Sequence, residues 1–125
     1  MKITKKLPDA EFKIMKVVWK NTPPITTSIV MKQLEEQEEW KLQTIISLML
    51  RLIERNFLRT EKIGKERTYY PLITKEEYLK FETNIFIKQY HDNSLVSVVN
   101  AFFDGRKFKD SDLTQLLDWV KRKRL

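Results

Sequence analysis

The clearest hydrophobic pattern in the chain lies between Lys41 and Arg55, where apolar residues recur every three or four positions. The apolar positions are Ile45, Leu48, Met49, Leu52 and Ile53. This spacing predicts an amphipathic helix with one buried face. The opposite face carries hydrogen-bonding side chains without negative charge, namely Gln43, Thr44, Ser47 and Arg51. A helix face of this composition can approach a groove that is lined with phosphates.

Two shorter amphipathic helices are predicted before this one. The first begins near Pro8 and ends before Pro23–Pro24, because proline lacks an N–H group and disfavours a helical conformation in the residue that precedes it. Thr26 is the predicted N-cap of the second helix. Ile25 and Val30 have the spacing of a hydrophobic staple around that cap.

A β-hairpin is predicted after the third helix. Leu58–Ile63 and Arg67–Leu72 are rich in residues that favour strands, and Gly64-Lys65-Glu66 separates them as a short turn with a basic tip. Three helices followed by a hairpin is the element order of a winged helix. In that fold the third helix enters the major groove of DNA and the hairpin contacts the flanking backbone.

The residues after Ile73 predict three more helices. Thr74 and Glu77 have the spacing of a capping box, which opens the first of them. The β-branched run at 95–103 also fits a strand, but its neighbours are helical and we expect a helix there. A last amphipathic helix is predicted to begin near Asp110.

These patterns predict a mainly α fold with a small β-hairpin, divided into two domains. Residues 1–73 would form a winged helix-turn-helix DNA-binding domain, and residues 74–125 a helical dimerisation domain. About fifty residues of helices with one apolar face each are marginal for a core of their own, so two copies are expected to pack together. The predicted interface residues are Leu79, Phe86, Leu95, Val99, Phe102, Leu113, Leu116, Leu117 and Val120.

Charge and composition point to a polyanionic partner. Lys and Arg total 24 against 17 Asp and Glu, for a net charge of +7, so double-stranded DNA is the leading candidate. The chain has no cysteine, which excludes disulfides and thiolate chemistry. Leu7-Pro8-Asp9 interrupts the basic start where a signal peptide would need an apolar segment, and no run is long enough to span a membrane. We expect a cytoplasmic protein without membrane insertion.

Catalytic chemistry has little support in the sequence. The only histidine, His91, stands at a predicted helix end, and there is no glycine-rich phosphate loop. We interpret His91 as a solvated or capping residue rather than a base or ligand. The chain is therefore expected to be neither an enzyme nor a carrier of a cofactor or metal.

The chain contains the residue types that DNA binding requires, for both base and phosphate contacts. Base contacts are predicted for Gln43, Thr44, Ile46 and Ser47, since glutamine pairs with adenine, hydroxyls serve either partner and apolar groups meet thymine methyls. Phosphate contacts are predicted for Thr26, Lys41, Arg51, Lys62, Lys65 and Arg67, with Arg55 as a further cation. Ile46 and Leu50 have a second interpretation, in which they pack against the hairpin.

Several short strings, in their order and spacing, resemble one known family. They are Leu7–Glu11 leading to Ile14, Met15 and Trp19, then Trp40–Ile45 leading to Arg51 and Leu52, then Tyr69–Leu72. The chain resembles the penicillinase and methicillin-resistance repressors through nearly its whole length. The resemblance implies a dimeric repressor that covers a palindromic operator and is inactivated by proteolysis when a membrane-bound β-lactam sensor responds.

The resemblance also implies a cleavage site. In that family the cut follows an asparagine in the dimerisation region, and the segment from Ser94 to Phe102 resembles that site. Asn100-Ala101 is the candidate scissile bond. The alternative is that Asn100 is only a polar position on a dimer helix.

The chain differs from the family pattern in two respects, and the sequence also allows two other functions. Family members often carry basic residues where this chain has Gln43 and Ile46, so the operator sequence cannot be transferred. The cysteine-rich tail of copper-responsive relatives is missing, so copper sensing is not expected. The acidic stretch Glu35–Glu39 would suit a protein-interaction module. A pocket for a small-molecule regulator would use the aromatic residues Phe81, Phe86, Tyr90 and Phe102.

Overall fold

The computed structural model describes residues 3–104 and 108–124 of the chain. It is mainly helical with a small antiparallel sheet, which confirms the predicted fold class. The elements in chain order are α1 (Asp9–Lys20), β1 (Ile25–Thr26), α2 (Thr27–Leu34), α3 (Leu42–Glu54), β2 (Leu58–Ile63), β3 (Glu66–Pro71), α4 (Lys75–His91), α5 (Leu95–Phe103) and α6 (Asp110–Lys123). The chain divides into two compact units, Met1–Thr83 and Asn84–Leu125.

The sheet of the first unit has three strands in the order β1-β3-β2. The predicted hairpin is present, but its turn has two residues rather than three, because Glu66 begins β3 and pairs with Ile63, and the strand ends at Pro71 rather than Leu72. The additional strand, β1, was not predicted because two residues are too few to show an alternating pattern. Ile25 and Thr26 pair with Tyr69 and Thr68 of β3, which fixes the start of α2 beside the hairpin.

One hydrophobic core holds α1, α2, α3 and the base of the hairpin together. The predicted buried face of α3 is confirmed at four positions and half-buried at Ile53. The core residues from the helices are Ile14, Met15, Val17, Val18, Val30, Leu34, Ile45, Leu48, Met49 and Leu52. Thr26 caps α2 as predicted, because its Oγ1 accepts a hydrogen bond from the Ile29 N–H at 3.2 Å.

An aromatic cluster extends this core beyond Ile73. Tyr78 of α4 is fully buried and has four aromatic neighbours with ring centroids 5.6 to 6.3 Å away, namely Phe12, Trp19, Phe57 and Phe81. Its hydroxyl accepts a hydrogen bond of 2.7 Å from the Leu7 N–H. Burial raises the pKa of the Tyr78 phenol, and a hydrogen bond to Glu82 adds to the increase. The first part of α4 therefore belongs to the first unit.

The helices of the second unit have no buried side chain among the described residues of α5 and α6. The run at 95–103 is helical, as expected, and Ser94 caps it by accepting a hydrogen bond of 3.1 Å from the Ser97 N–H. Asp92 and Asn93 separate α4 from α5 with positive φ angles. Within the described part of the chain, no helix has the length and hydrophobicity to cross a membrane.

Candidate nucleic-acid interface

The outward face of α3 is free in the first unit. Gln43, Thr44, Ile46 and Ser47, the four residues predicted to contact bases, are all exposed. They occupy the first two turns, while the buried stripe fixes the opposite face against α1 and α2. A helix held in this way can present its side chains to a groove without disturbing the core.

The N-termini of α2 and α3 are suited to anions. Neither helix has an acidic residue in its first turn, whereas α1, α4 and α6 each have two. The positive end of the helix dipole is thus left without a compensating carboxylate. Thr26 accepts a hydrogen bond from its own helix but keeps its O–H as a donor. Lys41 is the N-cap of α3 and makes no side-chain capping bond.

The two faces of the hairpin differ in charge: Lys62 and Arg67 share one face, whereas Arg59 lies on the other face and forms an ion pair of 2.6 Å with Glu61. Lys62 lies directly opposite Arg67 in the strand pairing. Because side chains alternate along a strand, this pair shares the face of the buried residues Leu58 and Tyr69, and the exposed acids at positions 61 and 66 lie on the other face. Two like charges in register are unfavourable unless an anion joins them. The core-side face of the hairpin tip is therefore a concentrated positive surface.

The turn of the hairpin depends on Gly64. Its φ is +65°, in the left-handed region that glycine adopts without strain. Lys65 follows it and is exposed at the tip, beyond the pair of Lys62 and Arg67. All three cations predicted for the hairpin are therefore exposed at or near its tip.

Arg55 has a different position from the other predicted cations. Its Nε donates a hydrogen bond of 2.6 Å to Oε1 of Glu11, which is 1% exposed. This ion pair joins α1 to the end of α3 and neutralises Arg55 inside the unit. We therefore assign Arg55 to the fold rather than to phosphate binding. Arg51, one turn earlier, is exposed and has no such partner among the recorded ion pairs of the described residues.

The hairpin does not cover the apolar residues on the outer side of α3. Ile46 and Leu50 are 39% and 54% exposed, so neither is buried against the hairpin. Leu42, for which the sequence predicts no role, is also exposed. The sequence signal that could have identified it is its spacing of four residues from Ile46.

The predicted interface residues of α4, α5 and α6 are exposed in the single chain. Between 36% and 71% of the surface of each is accessible: Leu79, Phe86, Leu95, Val99, Phe102, Leu113, Leu116, Leu117 and Val120. Tyr90, Val96 and Trp119 are exposed apolar residues of the same helices that were not predicted. All of these residues except Leu79 belong to the second unit, and so much accessible apolar surface in a unit of this size is typical of a protein interface.

Asn100 and Ala101 lie in the second half of α5, and both are exposed. The Asn100 carbonyl accepts the N–H of Asp104 at 3.1 Å, so the candidate scissile bond is in helical backbone. His91 ends α4, and its Nδ1 is 2.8 Å from the hydroxyl of Ser97. This contact joins the end of α4 to α5, and the half-buried His91 is not the fully solvated residue that the sequence also allowed.

The arrangement of α1 to α3 with a short strand and a two-stranded wing defines a winged-helix protein. The chain belongs to the penicillinase repressor family, whose sequence model matches residues 7–122. The resemblance found in the sequence is thereby confirmed. The family is one of repressors and not of enzymes, in agreement with the scarcity of catalytic residues.

Two curated relatives match nearly the whole chain. The penicillinase repressor of Bacillus licheniformis is 30% identical over 116 residues, which cover 93% of this chain and 90% of the relative. The methicillin resistance regulatory protein MecI of Staphylococcus aureus (strain N315) is 24% identical over 121 residues, covering 96% and 97%.

A solved structure matches the first part of the chain. It is the solution structure of the monomeric form of Bacillus licheniformis BlaI in complex with the blaP half-operator. The two chains are 38% identical and superpose with a TM-score of 0.52 over 62% of this chain and 92% of that one.

Proposed function

We propose that this protein is a sequence-specific DNA-binding transcriptional repressor that acts as a homodimer on a palindromic operator. The observation that carries the proposal is a set of exposed features of the first unit: the exposed face of α3, the N-termini of α2 and α3 without first-turn acids, and the positive face of the hairpin. The related BlaI structure in complex with a half-operator supports it. A repressor acts where the DNA is, so we place the protein in the cytoplasm.

In the proposed complex α3 lies in the major groove. Gln43 is suited to adenine, because its amide offers a donor and an acceptor side by side. Thr44 and Ser47 serve as short donors or acceptors for either base of a pair. Ile46 supplies an apolar contact at the edge of this polar group.

The phosphates flanking the groove are contacted by the remaining predicted residues. Thr26 and Lys41 act at the N-termini of α2 and α3, where the helix dipoles also favour an anion. Arg51 acts from the side of α3. Lys62, Lys65 and Arg67 act from the hairpin, and their mutual repulsion is relieved when a phosphate lies between them.

The second copy joins through the apolar residues of α4, α5 and α6. Burying them would remove a large accessible apolar area from water, which drives association. Two recognition units held together bind two half-sites with an affinity that exceeds either alone by about 100-fold to 10,000-fold. Dimerisation therefore determines whether the operator is occupied.

The proposed switch is proteolysis between Asn100 and Ala101. A cut there severs α5 and separates α6 from the rest of the chain, so the interface is lost together with the gain from binding two half-sites. Because the bond is in helical backbone, a protease must first unwind this part of α5. A membrane sensor of β-lactams with its protease is the partner that the family resemblance suggests.

The test is an electrophoretic mobility shift on DNA from upstream of the regulated genes, at several salt concentrations. We expect a preference over random duplex of at least about 1000-fold. The logarithm of the binding constant should fall with the logarithm of salt concentration with a slope of about −4 to −5 per half-site, if the named cations all engage. Binding without any sequence preference would contradict the proposal.

A further inference from the structure

Three exposed apolar residues form a row along α3. Leu42, Ile46 and Leu50 follow one another at intervals of four residues, and 48%, 39% and 54% of their surfaces are exposed. None of them belongs to the core of the first unit or to the residues packed against it. Residues four apart are neighbours on a helix surface, so the three side chains form one continuous strip.

The strip lies along the border between the buried stripe and the polar face of α3, because each of its members is followed three residues later by Ile45, Met49 or Ile53 of that stripe. Gln43 and Ser47 are adjacent to it on the helix surface and are also exposed. Single exposed apolar residues are common on soluble proteins, but a contiguous apolar strip is typical of a surface that a partner covers. The residues that cover this strip must also accommodate the hydrogen-bonding groups beside it.

The charges around the strip indicate the chemistry of the partner. Lys41 at the N-cap and Arg51 are exposed cations of α3, and the one acid of the helix, Glu54, is exposed four residues after Leu50, at the end of the row. The first two turns of the helix thus combine an apolar strip with uncharged polar groups and a cation at the N-cap, and no acid lies among them. The major groove of DNA offers the complement, because thymine carries a C5 methyl group there and phosphates line both margins.

We propose that Leu42, Ile46 and Leu50 read thymine methyl groups in the operator, which makes methyl contacts a principal source of sequence specificity in this chain. The proposal rests on the proposed function and adds the feature of the DNA that is read. A helix rises 1.5 Å per residue, so the strip is about 12 Å long. That length corresponds to about three to four base-pair steps of duplex. Each half-site therefore contains several thymines within a short block, on either strand.

The test removes methyl groups from the DNA and leaves the protein intact. Duplexes that bind the full-length protein are selected from a random library, and each thymine of the half-site is then replaced by deoxyuridine, which pairs identically but lacks the methyl group. At the thymines under the strip, the Kd should rise about three- to fourfold for each methyl removed. Thymines outside the block should be insensitive.

Variants of the protein assign each methyl group to a side chain. Ile46→Ala and Leu50→Ala should weaken binding to the thymine duplex and abolish the effect of deoxyuridine at one position each. Leu72→Ala removes an exposed leucine of the same unit that lies outside α3, and it should leave both binding and deoxyuridine sensitivity unchanged. This cycle separates a direct contact from a general loss of stability.

The outcomes distinguish this inference from the proposed function. Selective binding to a duplex in which no deoxyuridine substitution changes the Kd would overturn the inference and leave the repressor intact. If the strip instead joins two protein copies, Leu50→Ala would lower the molecular mass in solution while deoxyuridine has no effect, and the inference is again overturned. A protein that selects no sequence overturns both.

Discussion

Thr44 and Lys65 are both exposed, yet they are expected to contribute to DNA binding in different ways. Thr44 lies in the first turn of α3, and Lys65 lies at the tip of the hairpin. Thr44→Ala should reduce discrimination between operator and altered operator, because a contact to a base edge is lost. Lys65→Ala should weaken binding to all duplexes about equally and lower the salt slope by about 1.

The measurement is a set of Kd values for the operator, single-base variants and random duplex at several salt concentrations. Glu66→Gln serves as the control for Lys65, because it changes a charge next to the tip on the other face of the hairpin. Equal loss of discrimination in the Thr44 and Lys65 variants would contradict the division into base and phosphate contacts.

The Glu11–Arg55 pair is expected to stabilise the first unit. Arg55→Ala leaves the carboxylate of Glu11 buried without its partner. For a fully buried pair this change costs 3 to 5 kcal/mol, and because about a third of Arg55 is in water we expect about 2 to 3 kcal/mol. Urea denaturation measures the loss. Lys6→Ala, which breaks the exposed pair with Glu82, should cost less than about 1 kcal/mol.

Such a pair could not be predicted from the sequence. Glu11 and Arg55 are 44 residues apart, and neither has a local pattern that marks it as buried. From the sequence alone, Arg55 is one more cation at the end of the recognition helix, which predicts a phosphate contact. The exposed residues of α3 could be predicted, because in a helix with a marked apolar stripe the positions outside that stripe face solvent.

At the scale of elements, the capping box of α4 can be tested through pH. The Thr74 N–H donates to Oε1 of Glu77 at 2.9 Å, and Thr74 Oγ1 accepts from the Glu77 N–H at 3.1 Å. The pKa of Glu77 is lowered. The hydrogen bond with the Thr74 backbone is the largest cause, and the hydrogen bond with the Thr74 side chain is the second. Ionised Glu77 therefore stabilises the folded state at pH values above the ordinary pKa of glutamate. This stabilisation is lost as the pH falls through the lowered pKa of Glu77 in the folded protein.

The expected result is a shallower acid dependence in Glu77→Gln. Between about pH 5 and pH 3 the wild-type protein should lose more stability than this variant, because only the wild type has a carboxylate at this cap to protonate. Thermal denaturation across this pH range measures the difference. Glu76→Gln removes a charge from the same turn but not from the capping box, and it should follow the wild type.

The elements that were predicted share strong local signals, and the one that was missed does not. The capping box at Thr74, the cap at Thr26 and the turn at Gly64 each involve residues within a few positions of one another. The segment 95–103 was ambiguous because its valines favour a strand, and the Ser94 cap agrees with a helix. β1 depends on pairing with Thr68 and Tyr69, more than forty residues away, which no local pattern encodes.

At the scale of the whole molecule, the proposed dimer depends on the part of the chain after Asn100. A chain that ends at Asn100 lacks α6 and the end of α5, and with them most of the exposed apolar residues of the second unit. We expect it to be monomeric by native mass spectrometry at micromolar concentration, where the full chain is dimeric. Its Kd for the operator should rise about 100-fold or more.

The affinity for a single half-site is the control that shows whether the first unit remains folded. The shortened chain retains the whole core of residues 7–78, so its affinity for a single half-site should equal that of the full chain. Asn100→Ala in the full chain should leave dimerisation unchanged and block cleavage. A full chain that is monomeric would contradict the assignment of the interface.

The pairing of the hairpin strands has a consequence for tolerance to insertion. Side chains alternate between faces with a period of two, so a slip of one residue exchanges the faces of an entire strand. In β2 such a slip would turn Lys62 outwards and bring Glu61 to the core side. One residue added beside Gly64 would then present carboxylate where the phosphate is expected, with the composition of the strands unchanged. The charge that this face offers to DNA thus depends on the length of a two-residue turn.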